Sequence, residues 1–256
     1  MIAIDCGNTR LKWARFEGRA RLDGGHASLR GAGDPFEALA AGLGDLAGRN
    51  DSAGHVLVAN VAGPEVAEHI SAAVRSTLGR DSEFVSVQAN AHGIECAYAD
   101  PGTLGVDRWL AMIAARNLRD GPFAVVGAGT ALTFDAVDRS GRHLGGLILP
   151  GDRLMIEALA SHAEQIPVVP PAGRAVRGLE ILGRSTAEAV SHGARLALAA
   201  AVDRAVATVT AELGEAIAVL LTGGDAPLVE EWLASDAEVE ADLVLEGLAV
   251  IGGEKE

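Results

Sequence analysis

The sequence predicts an α/β protein made of two related halves with a cleft between them. Short apolar runs alternate with helical patterns along the 256 residues, as in layered α/β architectures. A strand–turn motif around Gly7, "IAIDCGNTRLKW", recurs 122 residues later around Gly129 as "AVVGAGTALTFD". The stretch "RNLRDGP" interrupts the pattern between the two motifs. We therefore expect one domain over 1–118 and a second over 119–256.

The strands of both halves are predicted from short apolar runs that end at small or polar residues. Such runs are typical of buried strands in a largely parallel sheet. They are Ile2–Ile4, "HVLVANV" from His55, "FVSV" from Phe84, "FAVVG" from Phe123, "LGGLILPG" from Leu144 and "AVLLTGG" from Ala218.

Four helices are predicted between these strands from apolar periodicity and terminal signals. Pro35 suits a first helical position, Gly79 and Gly214 suit C-caps, and Ser185 with Glu188 forms a capping box. The helical segments are "DPFEALAAGLGDLAG" from Asp34, "GPEVAEHISAAVRSTLG" ending at Gly79, "VDRWLAMIAARNL" from Val106, and Ser185–Leu213. The segment Gln165–Gly183 carries three prolines without a clean period, and we expect an irregular loop there.

The composition allows a sizeable core and disfavours one class of partner. Hydrophobic residues make up 49% of the chain and aromatic residues only 4%, so Ala, Val, Leu and Ile must dominate the core. The 35 acidic residues outnumber the 21 basic ones, which gives a net charge of −14. This charge argues against binding a nucleic-acid backbone, which needs clustered basic residues. A nucleotide is compatible with it, because turn amides and a divalent metal can supply positive charge.

The cysteines and the apolar runs bear on the cellular compartment. Cys6 and Cys96 have no CxxC spacing, which excludes a disulfide-rich scaffold and suits free thiols in a reducing environment. The N-terminus opens into a strand without a basic region, and no apolar run reaches ~18 residues. We therefore expect a soluble cytoplasmic protein with no membrane partner.

The two recurring turns are candidate phosphate cradles. In "DCGNT" Gly7 allows close approach of the backbone, while Asn8 and Thr9 can donate hydrogen bonds. Asp5 suits a magnesium ion held through water, and Lys12 could add a positive charge or point to solvent. The second turn, "GAGT", offers a similar cradle without an acid. The alternative is that both are ordinary turns in a chain with 32 glycines.

A third motif, "YADPGTLGVDRW", places Asp107 and Arg108 in the first turn of a helix. An acid there is stabilised by the helix dipole, which is the simple explanation of Asp107. The functional alternative is an ionised carboxylate that acts as a general base, beside an arginine that holds an anionic substrate. Trp109 and Met112 fit the core better than a ligand site.

Several common site motifs are absent from the sequence. The histidines show no HExxH or His–Cys spacing, so a zinc site is not predicted. There is no GxxxxGK[ST], GxGxxG or GxSxG, which removes P-loop, dinucleotide and nucleophile-elbow interpretations.

Together the motifs resemble those of type III pantothenate kinases, in the superfamily of acetate kinase, sugar kinases, heat-shock cognate chaperones and actin. The resemblance covers nearly the whole chain and rests on "DCGNTRLKW", "Y..P..LGVDRW", "GAGTALTFD", "GGLILPG" and "STAEAVSHG" in this order. It implies duplicated ribonuclease H-like (actin-like ATPase) domains, with mixed sheets flanked by helices.

The resemblance also implies an activity and its partners. The activity is ATP-dependent phosphorylation of pantothenate to 4'-phosphopantothenate, the first step of coenzyme A biosynthesis. The cofactors are Mg²⁺ with ATP and a monovalent cation, K⁺ or NH₄⁺. The expected assembly is a homodimer whose site is completed at the interface.

Each matching residue acquires an expected role from this resemblance. Asp107 would take the proton from the primary hydroxyl of pantothenate, and Asp5 would lie near magnesium. The residues expected to bind ATP are Asp5, Cys6, Gly7, Asn8, Thr9, Arg10, Leu11, Lys12, Gly129 and Thr130. The residues expected to bind pantothenate are Tyr98, Gly105, Val106, Asp107, Arg108 and Thr186.

One position departs from the family pattern. Gly127 stands where the family usually has an aspartate that helps to bind the monovalent cation. A glycine carbonyl can still coordinate potassium but brings no net charge. We expect a weakened cation site, a site supplied otherwise, or reduced activity.

Two other functions fit parts of the sequence. One is a regulatory relative with weakened catalysis, since the family also contains an accessory factor for virulence-gene transcription. Asp5, Asp107 and Arg108 argue against that alternative. The other is a kinase of a different small hydroxy acid or sugar, because fold alone does not choose the substrate.

Overall fold

The computed structural model describes residues 1–47, 54–162 and 178–253. The chain divides into two compact units. The first unit comprises Met1–Leu118 and Leu243–Glu256, and the second comprises Arg119–Asp242.

The first unit contains a five-stranded mixed sheet with the order β3-β2-β1-β4-β5. The strands β1, β2 and β3 pair antiparallel, whereas β4 and β5 continue parallel to β1. The strands of this unit are β1 (Ile2–Cys6), β2 (Arg10–Glu17), β3 (Ala20–Ser28), β4 (Val56–Asn60), β5 (Ser82–Phe84), β6 (Asn90–Ala91) and β7 (Ile94–Glu95). Its first helices are α1 (Pro35–Ala47), α2 (Pro64–Leu78) and α3 (Val106–Leu118).

The core of the first unit lies between the sheet and helices α1 and α2. Ile2, Ile4 and Val58 of the sheet are fully buried, and so are Leu39 and Leu43 of α1. The helix α2 ends as predicted: Gly79 takes the left-handed conformation with φ 63°, and its N–H donates to the Arg75 carbonyl. Local signals of this kind were therefore sufficient to place the helix.

The second unit repeats the topology of the first. Its sheet has the order β10-β9-β8-β11-β12, with antiparallel pairs among β8, β9 and β10 and parallel pairs from β8 to β11 and β12. Its strands are β8 (Phe123–Ala128), β9 (Ala131–Val137), β10 (His143–Pro150), β11 (Ala218–Thr222) and β12 (Glu238–Val239). Its helices are α4 (Asp152–His162), α5 (Thr186–Leu213) and α6 (Ala226–Glu230). The predicted duplication is confirmed by these two equivalent sheets.

The helix α5 has the predicted ends. Ser185 Oγ accepts from the Glu188 N–H at 3.2 Å, and the Glu188 carboxylate accepts from the Arg184 N–H at 2.7 Å. Gly214 closes the helix in the left-handed conformation with φ 70°. The reciprocal bond reaches Arg184 rather than Ser185, but the box still satisfies two backbone donors at the helix start.

Several predicted features need correction. The sheets are mixed, as the family resemblance implied, and not largely parallel, as the apolar runs suggested. The antiparallel pairs are β1 with β2 and β2 with β3 in the first sheet, and β8 with β9 and β9 with β10 in the second. The strand predicted from Phe84 instead ends there, as β5. Of the loop predicted over Gln165–Gly183, residues up to 177 lie outside the described residues, and Gly178–Ile181 forms a 3-10 turn.

The predicted second domain, 119–256, also extends too far. The last helix, α7 (Leu243–Gly253), belongs to the first unit, where it packs against α3 and β1. A Cβ on Gly247 would lie 2.2 Å from the Leu110 carbonyl oxygen, so the two helices touch through their backbones. The almost wholly apolar sequence of α7 covers the face of α3 that carries Leu110. No helix in the described ranges is both long and apolar enough to cross a membrane.

Candidate functional site

The first glycine turn joins β1 to β2. Its backbone is closed by the Gly7 N–H, which donates to the Arg10 carbonyl at 3.0 Å, and the Thr9 carbonyl accepts from the Leu29 N–H at 2.8 Å. The Asn8 side chain is exposed at the tip of the turn. Amides and polar side chains of this turn can therefore face a phosphate while the flanking strands keep it rigid.

Asp5 and Lys12 face each other across the first hairpin. They are direct partners in the β1–β2 register, and both are half-buried. The Cβ atoms of directly opposed residues in a hairpin lie roughly 5 Å apart, so the acid and the base are neighbours on one face of the hairpin. On this face the Asp5 carboxylate can serve as an oxygen ligand for a metal, and the Lys12 ammonium group can bind a phosphate.

Two of the residues predicted to bind ATP point into the core. Cys6 and Leu11 have no exposed surface and belong to the core cluster between the sheet and its helices. Burial raises the pKa of the Cys6 thiol to about 12, and the neighbouring Asp5 charge acts in the same direction. At neutral pH the thiol is protonated, so these two residues can serve a ligand only through their backbone.

The second glycine turn joins β8 to β9 and is one residue shorter than the first. The Gly129 N–H donates to the Ala131 carbonyl at 3.1 Å, and the Thr130 side chain is exposed. In the strand registers Cys6 opposes Leu11, whereas Ala128 opposes Leu132. The second turn therefore offers the same backbone cradle in a tighter form.

Two glycines outside the motif hold this second turn. A Cβ on Gly151 would lie 2.2 Å from the Gly129 carbonyl oxygen, and one on Gly223 would lie 2.2 Å from the Ala128 carbonyl oxygen. The Gly151 N–H donates to the Thr130 carbonyl at 2.9 Å, and the Asp225 N–H donates to the Ala128 carbonyl at 3.2 Å. The turn is thus fixed by backbone contact from both neighbouring turns, at the strand ends where α/β sheets bind ligands.

Sequence reasoning missed Gly223 as a residue of the site. Its "TGGD" turn follows the buried strand β11, which lies beside β8, and Gly223 has φ 97°. A pair of glycines directly after an apolar run was the available signal. Gly151 was part of the quoted "GGLILPG" motif, but its contact with the turn could not be read from the sequence.

Gly127 and Thr133 form the counterpart of the polar pair in the first hairpin. They are direct partners in the β8–β9 register, as Asp5 and Lys12 are in β1–β2. A Cβ on Gly127 would lie 2.7 Å from Thr133 Oγ1. The second hairpin therefore carries a neutral pair, in which the threonine hydroxyl lies where a side chain at 127 would extend.

The third motif brings Tyr98 and Arg108 together within the first unit. Arg108 Nη1 donates to the Tyr98 hydroxyl at 3.1 Å, and the guanidinium carbon lies 5.8 Å from the centre of the tyrosine ring. Arg108 is a buried residue, with only 7% of its surface exposed. A guanidinium fixed in this way is a directed donor for an anionic ligand.

Asp107 precedes this arginine in the first turn of α3. Its Oδ1 accepts from the Arg108 N–H at 2.9 Å, and the residue is half-buried. The preceding Gly105 carbonyl accepts from the Trp109 N–H at 3.1 Å and so begins α3. Val106 is 9% exposed, and its side chain packs in the core, which leaves its backbone for any ligand contact. Trp109 and Met112 are core residues, as predicted.

Thr186, the remaining predicted substrate residue, is the first residue of α5 in the second unit. It lines an open groove between α4 and α5, together with Arg184, Ser185, Leu154 and Leu159. The groove is apolar along α4 and polar at the α5 N-terminus, where backbone donors and the dipole favour an anion.

The described residues contain no cluster of three or more His, Cys, Asp or Glu able to hold a metal ion. A single carboxylate without neighbouring His or Cys ligands fits magnesium better than zinc. Mg²⁺ keeps several waters and is usually bound through one or two carboxylates together with substrate phosphates. Asp5, at the carboxyl end of β1 beside the glycine turn, is a carboxylate of that kind.

A family model described as type III pantothenate kinase matches residues 1–208. The chain belongs to the type III pantothenate kinase family. The type III pantothenate kinase of Nitrosococcus oceani is 35% identical over 254 residues, covering 97% of this chain and 92% of the relative. That of Aromatoleum aromaticum is 37% identical over 254 residues, covering 99% of this chain and 98% of the relative. The similarity to these two relatives thus covers nearly the whole of this chain.

Solved structures of the same fold are more distant in sequence. Component A of (R)-2-hydroxyglutaryl-CoA dehydratase from Acidaminococcus fermentans superposes with a TM-score of 0.56 at 14% identity, covering 99% of this chain and 97% of that protein. A Campylobacter jejuni protein whose name places it in the Baf family of transcriptional activators gives 0.56 at 20% identity, covering 100% and 99%. These likenesses show the fold alone. With the two equivalent mixed sheets, they confirm the duplicated ribonuclease H-like fold of the pantothenate kinase family.

Proposed function

We propose that this protein phosphorylates pantothenate with ATP, giving 4'-phosphopantothenate and ADP in the first step of coenzyme A biosynthesis. The observation that carries the proposal is the arrangement of Asp107, Arg108 and Tyr98 at the start of α3. The half-buried Asp107 carboxylate accepts from the backbone N–H of Arg108, and the guanidinium of Arg108 is held by the hydroxyl and ring of Tyr98. Membership in the type III pantothenate kinase family supplies the substrate and the phosphoryl donor.

The chemistry assigned to Asp107 is that of a general base. Its carboxylate accepts the proton of the primary hydroxyl of pantothenate as the hydroxyl oxygen bonds to the γ-phosphorus of ATP. The bond from that phosphorus to the β–γ bridging oxygen breaks, and ADP leaves with the electron pair. Arg108 and Tyr98 orient the anionic substrate, and positioning of this kind supplies much of the catalysis in phosphoryl transfer.

The nucleotide is assigned to the two glycine turns. In the first unit, the amides of Asn8 to Arg10, the Asn8 and Thr9 side chains and Lys12 donate to phosphate oxygens. The N–H of Gly7 donates to the Arg10 carbonyl, so the part of Gly7 is to let the phosphate approach the backbone closely. In the second unit, the Thr130 N–H and hydroxyl serve the same purpose, and Gly129, whose own N–H donates to the Ala131 carbonyl, lets the phosphate approach the backbone closely. Asp5 would hold the Mg²⁺ that accompanies ATP, and this ion supplies charge neutralisation for the phosphates.

A monovalent cation, K⁺ or NH₄⁺, is assigned to the second turn near Gly127. The Gly127 carbonyl and the Thr133 hydroxyl offer neutral oxygens as ligands. Thr133 Oγ1 lies near Gly127, since a Cβ added to this glycine would be 2.7 Å from it. Neutral ligands hold a cation less firmly than a carboxylate does. We therefore propose a cation site of reduced strength.

We propose a homodimer in which β10 lies at the interface between the two copies. This strand is the edge of the second sheet, and "LGGLILP" contains no charged residue. Ile148 is 65% exposed, and Leu147, Leu154 and Leu159 are exposed nearby. Proteins usually protect an apolar edge strand by charge or by cover, and a two-fold related copy provides such cover. Ile148→Glu should convert a dimer to a monomer in sedimentation, whereas Leu22→Glu, on exposed β3, should not.

Pantothenate-dependent release of ADP tests the proposed function. The purified chain, given MgATP, should release ADP only when pantothenate is present, and mass spectrometry should detect 4'-phosphopantothenate. The assay is run with KCl, NH₄Cl and NaCl. Failure with every cation would overturn the proposal and would favour the accessory-factor alternative. Activity only with another hydroxy acid or sugar would keep the kinase but change its substrate.

A further inference from the structure

We propose that Gly105 is a positioning residue for the Asp107 carboxylate, and this inference rests on the proposed function. A Cβ on Gly105 would lie 2.5 Å from Asp107 Oδ1 and 3.7 Å from its Cγ. The first distance is well inside van der Waals contact. The absence of a side chain at 105 therefore provides the space that the carboxylate occupies.

The backbone around Gly105 shows why this space cannot be gained by a small shift of the helix. Its carbonyl accepts from the Trp109 N–H at 3.1 Å and forms the first hydrogen bond of α3. On either side, Leu104 and Val106 are buried, with 4% and 9% of their surface exposed. The glycine backbone is thus fixed by its neighbours, and the carboxylate is the part that would have to move.

A displaced carboxylate would lose the hydrogen bond that orients it. Asp107 Oδ1 accepts from the Arg108 N–H at 2.9 Å, and that bond ties the acid to the residue whose guanidinium is held by Tyr98. An added methyl group on residue 105 competes for the position of this same oxygen. The geometry therefore couples residue 105 to the proton acceptor rather than to the substrate.

A direct ligand contact of Gly105 is the alternative, and the two roles differ in what they do to binding. If Gly105 only positions Asp107, Gly105→Ala should lower turnover while the affinity for pantothenate changes little. If Gly105 touches pantothenate, the same variant should weaken pantothenate binding. Misplacement of a reacting group by about 1 Å can lower a rate on the order of 10²-fold.

The experiment compares wild type, Gly105→Ala, Asp107→Asn and the double variant. We expect Gly105→Ala to reduce kcat by roughly 10- to 100-fold, with the pantothenate Kd from calorimetry within about threefold of wild type. In the Asp107→Asn background the second substitution should cause little further loss of the residual turnover, since groups acting as one unit are not additive. Gly44→Ala, where a Cβ would make only an ordinary 3.8 Å contact with Thr77, is the matched control.

Each other outcome overturns a different claim. An active wild type with an equally active Gly105→Ala variant, or additive losses in the double variant, would refute the positioning role alone. Absence of pantothenate phosphorylation by wild type would refute the proposed function. Unfolding is checked separately, because thermal melting of Gly105→Ala should resemble that of Gly44→Ala. A marked loss of melting temperature in Gly105→Ala alone would assign the glycine to stability and reject the inference.

Discussion

The Thr133 hydroxyl lies in the space into which a side chain at Gly127 would extend, 2.7 Å from the position of its Cβ. The two residues are register partners on β8 and β9, so a side chain added at 127 would meet the one already present at 133. The equivalent partners in the first hairpin are Asp5 and Lys12. The neutral character of the second turn is therefore a property of a residue pair and not of one glycine.

This pairing predicts the behaviour of an aspartate placed at 127. Gly127→Asp alone should destabilise the fold by about 1–3 kcal/mol, because its side chain overlaps Thr133. Adding Thr133→Ala should recover most of that loss. The measurement is the free energy of unfolding in urea for wild type, both single variants and the double variant. A single Gly127→Asp variant as stable as wild type would show that Thr133 moves away without cost.

The same variants test the proposed cation site. Wild type should be stimulated only weakly by potassium at constant ionic strength, and Gly127→Asp with Thr133→Ala should be stimulated more strongly, because a carboxylate adds net charge to the ligands. ADP release is measured against KCl concentration, with NaCl replacing KCl. A steep potassium requirement in wild type would contradict the assignment of a weakened site.

Asp107→Asn should remove most turnover and leave the fold intact. The substitution keeps the shape of the side chain and removes its ability to accept a proton, and general base catalysis is typically worth about 10²- to 10⁴-fold. Asp100→Asn is the matched control, since Asp100 is an exposed acid that caps the 3-10 turn just before α3 through the Gly102 N–H. Turnover and thermal melting are compared for both variants. Wild-type rates in Asp107→Asn would mean that another group accepts the proton.

Gly151→Ala should weaken the binding of ATP more than the binding of pantothenate. The added methyl group meets the Gly129 carbonyl oxygen at 2.2 Å and must push the second turn away from its place. We expect the KM for ATP to rise by roughly tenfold, equivalent to about 1.4 kcal/mol, while the pantothenate Kd stays near that of wild type. Steady-state kinetics and calorimetry provide the two values, and melting of the variant shows whether it is folded. An unchanged KM for ATP in a folded variant would separate this turn from the nucleotide.

The Cys6 thiol should make the stability of the fold depend on alkaline pH. Burial raises its pKa from 9.0 to about 12, with the Asp5 charge acting in the same direction. The unfolded chain releases this proton first, so the contribution is intact below pH 9 and falls by about 1.4 kcal/mol per pH unit between the two pKa values. The free energy of unfolding of wild type should therefore fall more steeply with pH in this window than that of Cys6→Ala. Cys96→Ala should keep the steep wild-type dependence.

Features determined by neighbouring residues could be predicted from the sequence. The ends of α2 and α5 follow from Gly79, Ser185 and Gly214, since a cap depends on residues within one helical turn. The duplicated glycine turns were also recognisable, because each follows an apolar strand directly. These local signals were enough to predict that the fold is duplicated and to locate both turns.

Features that depend on distant residues were not predictable in the same way. The hairpin strand β2, "RLKWARFE", mixes charged and apolar residues, and its place became clear only from its pairing with β1 and β3. The role of Gly151 depends on a turn more than twenty residues earlier in the chain. Space is a further difficulty, since the room that Gly105 leaves for Asp107 is a distance between atoms and has no sequence pattern.

The return of α7 to the first unit has a consequence for how the chain folds during synthesis. When the ribosome has made Leu118, α3 still lacks the helix that meets it at Gly247, and the helix arrives only after the whole second unit has emerged. The later unit can consequently mature before the earlier one. Nascent protein would expose the uncovered side of α3 for that interval, and a cut before Leu243 should damage the half of the molecule that was translated first.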